Sequence, residues 1–200
     1  MNSNPDCESV LWKSQFERVL PLFGHRNFIV VADAAYPAQS SPGIETIVTD
    51  ADHTEVLGKV LDAIAASNHL RANVYLDAEL KLVTENDAPG VTALRNQLTG
   101  LLAAESAQEA AHEEIIARLD RTARLFRILV LKSTLTIPYS SVFLELDCGY
   151  WNDAAEKRLR SAQSQESASS LNFDKRAVGD AAEPTEPTGE QKCKEETFAS

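Results

Sequence analysis

The run Phe28 to Ala32, FIVVA, constrains the fold of this chain more than any other stretch. It has the length and β-branched content of a strand buried on both faces, and turn-forming residues bound it on either side, FGHRN before and DAAYP after. A strand with two apolar faces needs a packed layer on each, which points to a central strand of a sheet covered by helices. In open α/β sheets the residues just beyond a strand's carboxyl end line the crevice where ligands bind, so Asp33 stands where an active-site carboxylate is often found. A turn-capping role for Asp33 and a helix-closing role for His25 account for the same stretch without chemistry.

The remaining pattern alternates strands with helices. Val10, Leu11, Phe16, Val19, Leu20 and Phe23 follow helical spacing between Glu8 and Phe23, and Gly24 sits where a helix C-cap belongs. The segment AYPAQSSPGIE reads as a loop over the strand end, followed by a short strand over Ile44 to Val48. Val56, Leu57, Val60, Leu61 and Ile64 share one face of a helix that Asp52 or Thr54 can cap and that ends near Ser67. Asn73 to Leu76 reads as a strand, and Val91, Leu94, Leu98, Leu101 and Leu102 mark a further amphipathic helix. Glu105 to Leu125 is alanine-rich and charged and reads as helix throughout, with Ile115-Ile116 as the alternative site of a short strand. RILVLK (127–132) and VFLEL (142–146) read as two more strands, giving an α/β sheet.

Apolar periodicity ends near Arg160. The following SAQSQESASS and GDAAEPTEPTGEQKCKEE cannot bury enough surface to offset the entropy of ordering, so one domain over residues 8–155 is expected, with a disordered acidic Ser/Pro-rich tail over 160–200. A net charge of -11 lacks the concentrated basic face that nucleic acid or an anionic membrane requires, so neither is an expected partner. Cys7, Cys148 and Cys193 are odd in number, far apart and without metal-ligand spacing, which fits a reducing compartment. The polar start MNSNPDCES lacks the features of a secretory signal, so a cytoplasmic location is expected.

FGHRNFIVVADAAYPAQS, the helix Val56 to Ile64 and the late IPYSSVFLELDCG together resemble the RbsD/FucU family of D-ribose pyranases and L-fucose mutarotases. The likeness runs from Phe16 to Cys148, and it rests on the order and separation of motifs that are weak singly. It implies a layered α/β sheet flanked by helices, ring-shaped homo-oligomers that are often decamers, sugar pockets at subunit contacts, and no metal or nucleotide cofactor. Carried over by position, it implies catalytic roles for His25, Asp33 and Tyr139, and sugar contacts from Ser141 and His112. Three departures stand out. Ser141 replaces the family's asparagine, Thr49 stands where fucose-type members carry arginine, and His112 lies several residues too far from the last strand.

Interconverting sugar ring forms requires taking a proton from the anomeric hydroxyl and delivering one to the ring oxygen. Histidine serves either task near neutral pH, a carboxylate can fix its tautomer, and a tyrosine adds a hydroxyl and an aromatic face. A strand separates its ends by about 3.3 Å per residue, so His25 and Asp33 can meet only through folded-back loops or an adjoining subunit. His53 and His69 flank the predicted helix and are expected to face solvent. No phosphate-binding glycine loop or nucleophile elbow is present. The expected function is a monosaccharide mutarotase or pyranase, and the alternative is a non-catalytic sugar-binding or regulatory relative.

Overall fold

The computed structural model describes residues 5–177, with side chains described from 11 to 165. The chain divides into two compact units at Asn152/Asp153. The first carries helix α1 (Pro5–Val19), strand β1 (Phe28–Ala32), β2 (Ile44–Val48), α2 (His53–Ala65), β3 (Leu70–Asp77), α3 (Val91–Leu101), β4 (Gln108–Ala110), α4 (His112–Thr122), β5 (Ile128–Lys132) and β6 (Val142–Cys148). The six strands form one sheet in the order β2-β5-β1-β6-β3-β4.

β1 is central, and all five of its residues are buried. It runs parallel to β5, with Val30 opposite Val130, and antiparallel to β6, with Val31 opposite Val142. Ile29 and Val31 pack with Trp12, Phe16, Leu57, Val60 and Leu98 from α1, α2 and α3. Phe28, Val30 and Ala32 face the other way, onto Ile115 and Leu119 of α4. The first unit therefore has three layers, and each large side chain buried between them contributes about 1.5–3 kcal/mol.

All neighbouring pairs are parallel except the two that involve β6. The carboxyl ends of the other five strands thus share one end of the sheet with the amino end of β6. That topology brings Asp33, Asp77, His112, Ser133 and the segment Tyr139 to Ser141 to a common end.

The expected strands at 28–32 and 44–48 keep their bounds, β3 is longer than expected at both ends, and α2 starts after the Asp52 cap, whose carboxylate accepts from Thr54 N at 2.8 Å. The segment 105–125 differs from expectation. It is not one helix: β4 occupies Gln108–Ala110, pairing with β3 from Tyr75 opposite Gln108 to Asp77 opposite Ala110, and Ile115-Ile116 lie in α4. Gly24 does not take a left-handed cap; the positive φ falls on Arg26, at 74°.

The second unit contains α5 (Asp153–Ala177), a polar helix with an Arg160 Nε to Glu156 Oε1 hydrogen bond of 2.7 Å. Helix therefore covers part of the segment expected to be disordered, because an uninterrupted run without proline or glycine can satisfy its backbone internally even where no apolar face forms. Residues 178–200 lie outside the described residues. No helix among the described residues is long and apolar enough to cross a membrane.

Candidate active site

Asp33 is the first residue past β1. Its Oδ1 accepts the Ala35 backbone N–H at 2.8 Å, and its Oδ2 accepts from Ser141 Oγ at 3.3 Å. The antiparallel register of β1 and β6 accounts for this meeting, since Val31 opposite Val142 sets Asp33 beside the residue that precedes β6. Ser141 is buried, so its hydroxyl is occupied in fixing Asp33.

The same entry into β6 positions Tyr139. Pro138 fixes the first half of a turn, Ser140 Oγ donates to the Ile137 carbonyl at 2.6 Å, and Tyr139 is left with a φ of 57°. A non-glycine residue held in the left-handed region stores on the order of 1–3 kcal/mol, and such strain concentrates at functional sites. The Tyr139 ring, 41% exposed, stands edge-on to His112 with centroids 5.5 Å apart.

His112 opens α4 directly after β4. Its backbone N–H donates to both carboxylate oxygens of Glu79 at 3.1 Å, and its Nδ1 lies 3.1 Å from Asp77 Oδ1. Asp77 ends β3 and is 2% exposed. Burial pushes its carboxyl up to about 6, against the downward pull of the His112 hydrogen bond. Its Oδ2 has no hydrogen-bond partner.

Asp33, Tyr139 and His112 line one cleft of about 640 Å³, together with Tyr36, Gln39 and Ile137. The hydroxyl of buried Tyr36 accepts from Gln39 Nε2 at 3.2 Å. Burial raises that phenol to about 12, and the carboxylates of Asp120, Asp77 and Asp33 add to the effect. The cleft thus pairs an apolar wall with a small set of convergent polar groups, the usual make-up of a small-molecule site.

His53 corrects an expectation. It is fully buried rather than solvent-facing, while His69 is exposed. Ser133 Oγ donates to the Ala32 carbonyl at 2.9 Å and lies 3.0 Å from His53 Nδ1, tying the imidazole to the end of β1. Nε2 makes no hydrogen bond of good geometry, and the Ser140 backbone lies close to the ring. Burial lowers the His53 imidazole to about 4, against the pull of the Asp52 and Asp33 carboxylates. A neutral histidine is thereby built in under the strand ends that carry Asp33 and Ser141.

His25 is not in this cleft. It precedes β1 at the opposite end of the sheet, where its Nδ1 donates to Asp147 Oδ1 at 2.7 Å and its Nε2 accepts from Arg26 Nε at 3.2 Å. Burial would raise the Asp147 carboxyl, but hydrogen bonds from Arg71, the Cys148 backbone N–H and His25 hold it below the ordinary range. β1 alone, at about 3.3 Å per residue, keeps His25 and Asp33 roughly 15 Å or more apart. Neither flanking loop closes that distance within one chain. Thr49, the other departure from the family pattern, is buried and donates to the Lys132 carbonyl at 2.8 Å, tying the end of β2 to β5.

Asp77, Tyr36 and Gln39 carried no expectation from the sequence. For Asp77 a signal existed: it follows an apolar run, NVYL, in the same way that Asp33 follows FIVVA. Among the described residues, no three His, Cys, Asp or Glu side chains converge as a metal site.

Residues 8–148 match the RbsD / FucU transport protein family. Similar solved structures include Bacillus subtilis RbsD complexed with D-ribose, 17% identical with a TM-score of 0.49, covering 67% of this chain and 92% of that one. FucU from Bifidobacterium longum is 16% identical with a TM-score of 0.44, covering 67% and 94%. The fucose mutarotase of Streptococcus pneumoniae in complex with L-fucose is 15% identical with a TM-score of 0.46, covering 66% and 91%. No curated protein sequence matches the chain. With the match spanning the whole sheet and every residue of the cleft, the chain belongs to the RbsD/FucU family.

Proposed function

We propose that this protein is a cofactor-independent sugar isomerase that interconverts ring forms or anomers of a monosaccharide such as ribose or fucose. The observation that carries this reading is the grouping of His112, backed by buried Asp77, with strained Tyr139 and with Asp33 in one cleft. Ring opening removes the proton from the anomeric hydroxyl, forms the carbonyl, breaks the bond from the anomeric carbon to the ring oxygen and protonates that oxygen. Reclosure on either face runs the same steps backwards. Two proton carriers suffice.

With Nδ1 turned to Asp77, His112 offers Nε2 to the sugar, and Asp77 fixes that orientation. Tyr139 supplies a ring face and a hydroxyl to the sugar. Asp33 accepts from sugar hydroxyls with the lone pairs that Ala35 and Ser141 leave free. His25 is the second proton carrier and comes from an adjoining copy, because a single chain holds it at the far end of the sheet. This requires a closed homo-oligomer of the ring type in which the amino end of one sheet meets the cleft of the next.

Saturation-transfer NMR of ribose and fucose tests this reading. Exchange between anomers or ring forms should exceed the spontaneous rate and fall by about 100-fold or more in His112→Ala. Full exchange in that variant would remove His112 from the mechanism. A second reading, sugar binding without turnover, draws on Ser141, whose hydroxyl is directed to Asp33 where the family pattern has an amide. Saturable sugar binding with exchange at the spontaneous rate would select it.

A further inference from the structure

The amino end of the sheet carries a cleft of its own, about 610 Å³, lined by His25, Arg26, Arg118, Arg121, Phe126 and Glu145. Its charge runs against the rest of the molecule. The chain has a net charge of -11, yet the lining of this cleft sets three guanidiniums against the carboxylate of Glu145, with Asp147 engaged by His25 beside it. Arg118 is matched by Glu145 at 2.6 Å and lies over the Tyr75 ring. Arg26 and Arg121 have no carboxylate partner among the described residues.

Arg26 is held in place at a cost. Its φ of 74° belongs to glycine, its backbone N–H is pinned to the Leu146 carbonyl at 2.9 Å, and its guanidinium lies 5.7 Å from the Phe126 ring centre. Its Nε donates to the same His25 Nε2 that a ligand would meet. A group bound at His25 therefore lies against a fixed guanidinium whose terminal nitrogens remain free to form a bidentate pair.

We propose that this cleft binds the anionic group of its ligand, so that among monosaccharides it prefers one bearing a phosphate or carboxylate to its neutral parent. The sugar ring engages His25, and Arg26 and Arg121 take the charged group. The assignment of the ligand as a sugar rests on the proposed isomerase reading; the capture of an anion rests on the two unmatched arginines alone.

The test uses the full chain in calorimetric titrations with ribose 5-phosphate against ribose, galacturonate against galactose, and inorganic phosphate. At low ionic strength, at least one charged sugar should bind about tenfold or more tightly than its neutral parent, the scale of one charge-assisted hydrogen bond. Arg121→Ala and Arg26→Gly, the latter a residue that favours the observed φ, should each remove most of that preference, and Arg121→Lys should retain it. Equal affinity for charged and neutral sugars, or a preference that survives in both variants, overturns the proposal. Inorganic phosphate binding as tightly as ribose 5-phosphate overturns the sugar class. A changed oligomer mass in the variants with sugar preference intact assigns the arginines to a subunit contact and likewise overturns it. NMR exchange on the same samples separates the two readings: charge preference without exchange retires the isomerase and keeps the anion site, and exchange on neutral sugars without charge preference does the reverse.

Discussion

Asp77 and His53 titrate over the same pH interval with opposite consequences for stability. Asp77 has a carboxyl raised from 3.8 to about 6, so between those values the folded chain keeps a proton that the unfolded chain has lost; this contribution is full below 3.8 and is lost as pH rises through about 6. His53 is lowered from 6.5 to about 4, so the unfolded chain holds the extra proton; this contribution is full above 6.5 and is lost as pH falls through about 4. Between about pH 4 and 6 the two slopes oppose each other, and together they leave stability nearly level. Removing either one exposes the other. Stability of Asp77→Asn should rise with pH across that interval, and that of His53→Asn should fall, each by at most about 1.4 kcal/mol per pH unit. Urea unfolding at several pH values reads the slopes directly, and parallel profiles in both variants would show that neither group titrates as described. The sequence placed Asp33 correctly just past the end of β1 because position along a strand is a local property. It misplaced His53, because burial at the first turn of a helix depends on which strand that turn lands on, here the one that presents Ser133.

At the scale of elements, α4 sets the position of His112. The helix has no side-chain N-cap, so its first turn relies on Glu79 from the segment after β3, while Ile115 and Leu119 anchor it to Phe28 and Val130 of the sheet. Leu119→Ala should cost about 2–5 kcal/mol, the range for truncating a buried leucine, and should lower sugar exchange at temperatures well below unfolding because the helix start loses its fixed height above Asp77. Denaturant unfolding and exchange NMR on the same variant check both; full exchange with the stability loss would mean that the helix start is held by Glu79 and β4 alone. The sequence did reveal α2, α3 and β1 from their apolar spacing. It did not reveal β4, because Gln108–Ala110 has neither β-branched residues nor alternation. That strand exists through its register on Tyr75 to Asp77, a tertiary pairing that alanine-rich local sequence gives no sign of.

At the scale of the whole molecule, the topology divides the proposed machinery between two ends of one sheet, and that division has a consequence for assembly. His112, Tyr139 and Asp33 lie at the carboxyl end of the strands, and His25 with Arg26 lies at the amino end. No rotation of side chains closes a gap of strand length, so the proposed mechanism needs the amino end of one copy against the cleft of another. His25→Ala and His112→Ala should each be inactive alone. If each site takes one histidine from each of two neighbours, random mixing of equal amounts leaves about one site in four with both wild-type residues. Unfolding the two variants together, refolding them and measuring exchange should therefore recover about a quarter of the wild-type rate. Sites built within one chain would recover nothing, since every chain in the mixture lacks one of the two groups. Recovery that also fails to appear in a co-refolded mixture of wild type with either variant would point to lost assembly, which the mass of the refolded particle distinguishes from a site confined to one subunit.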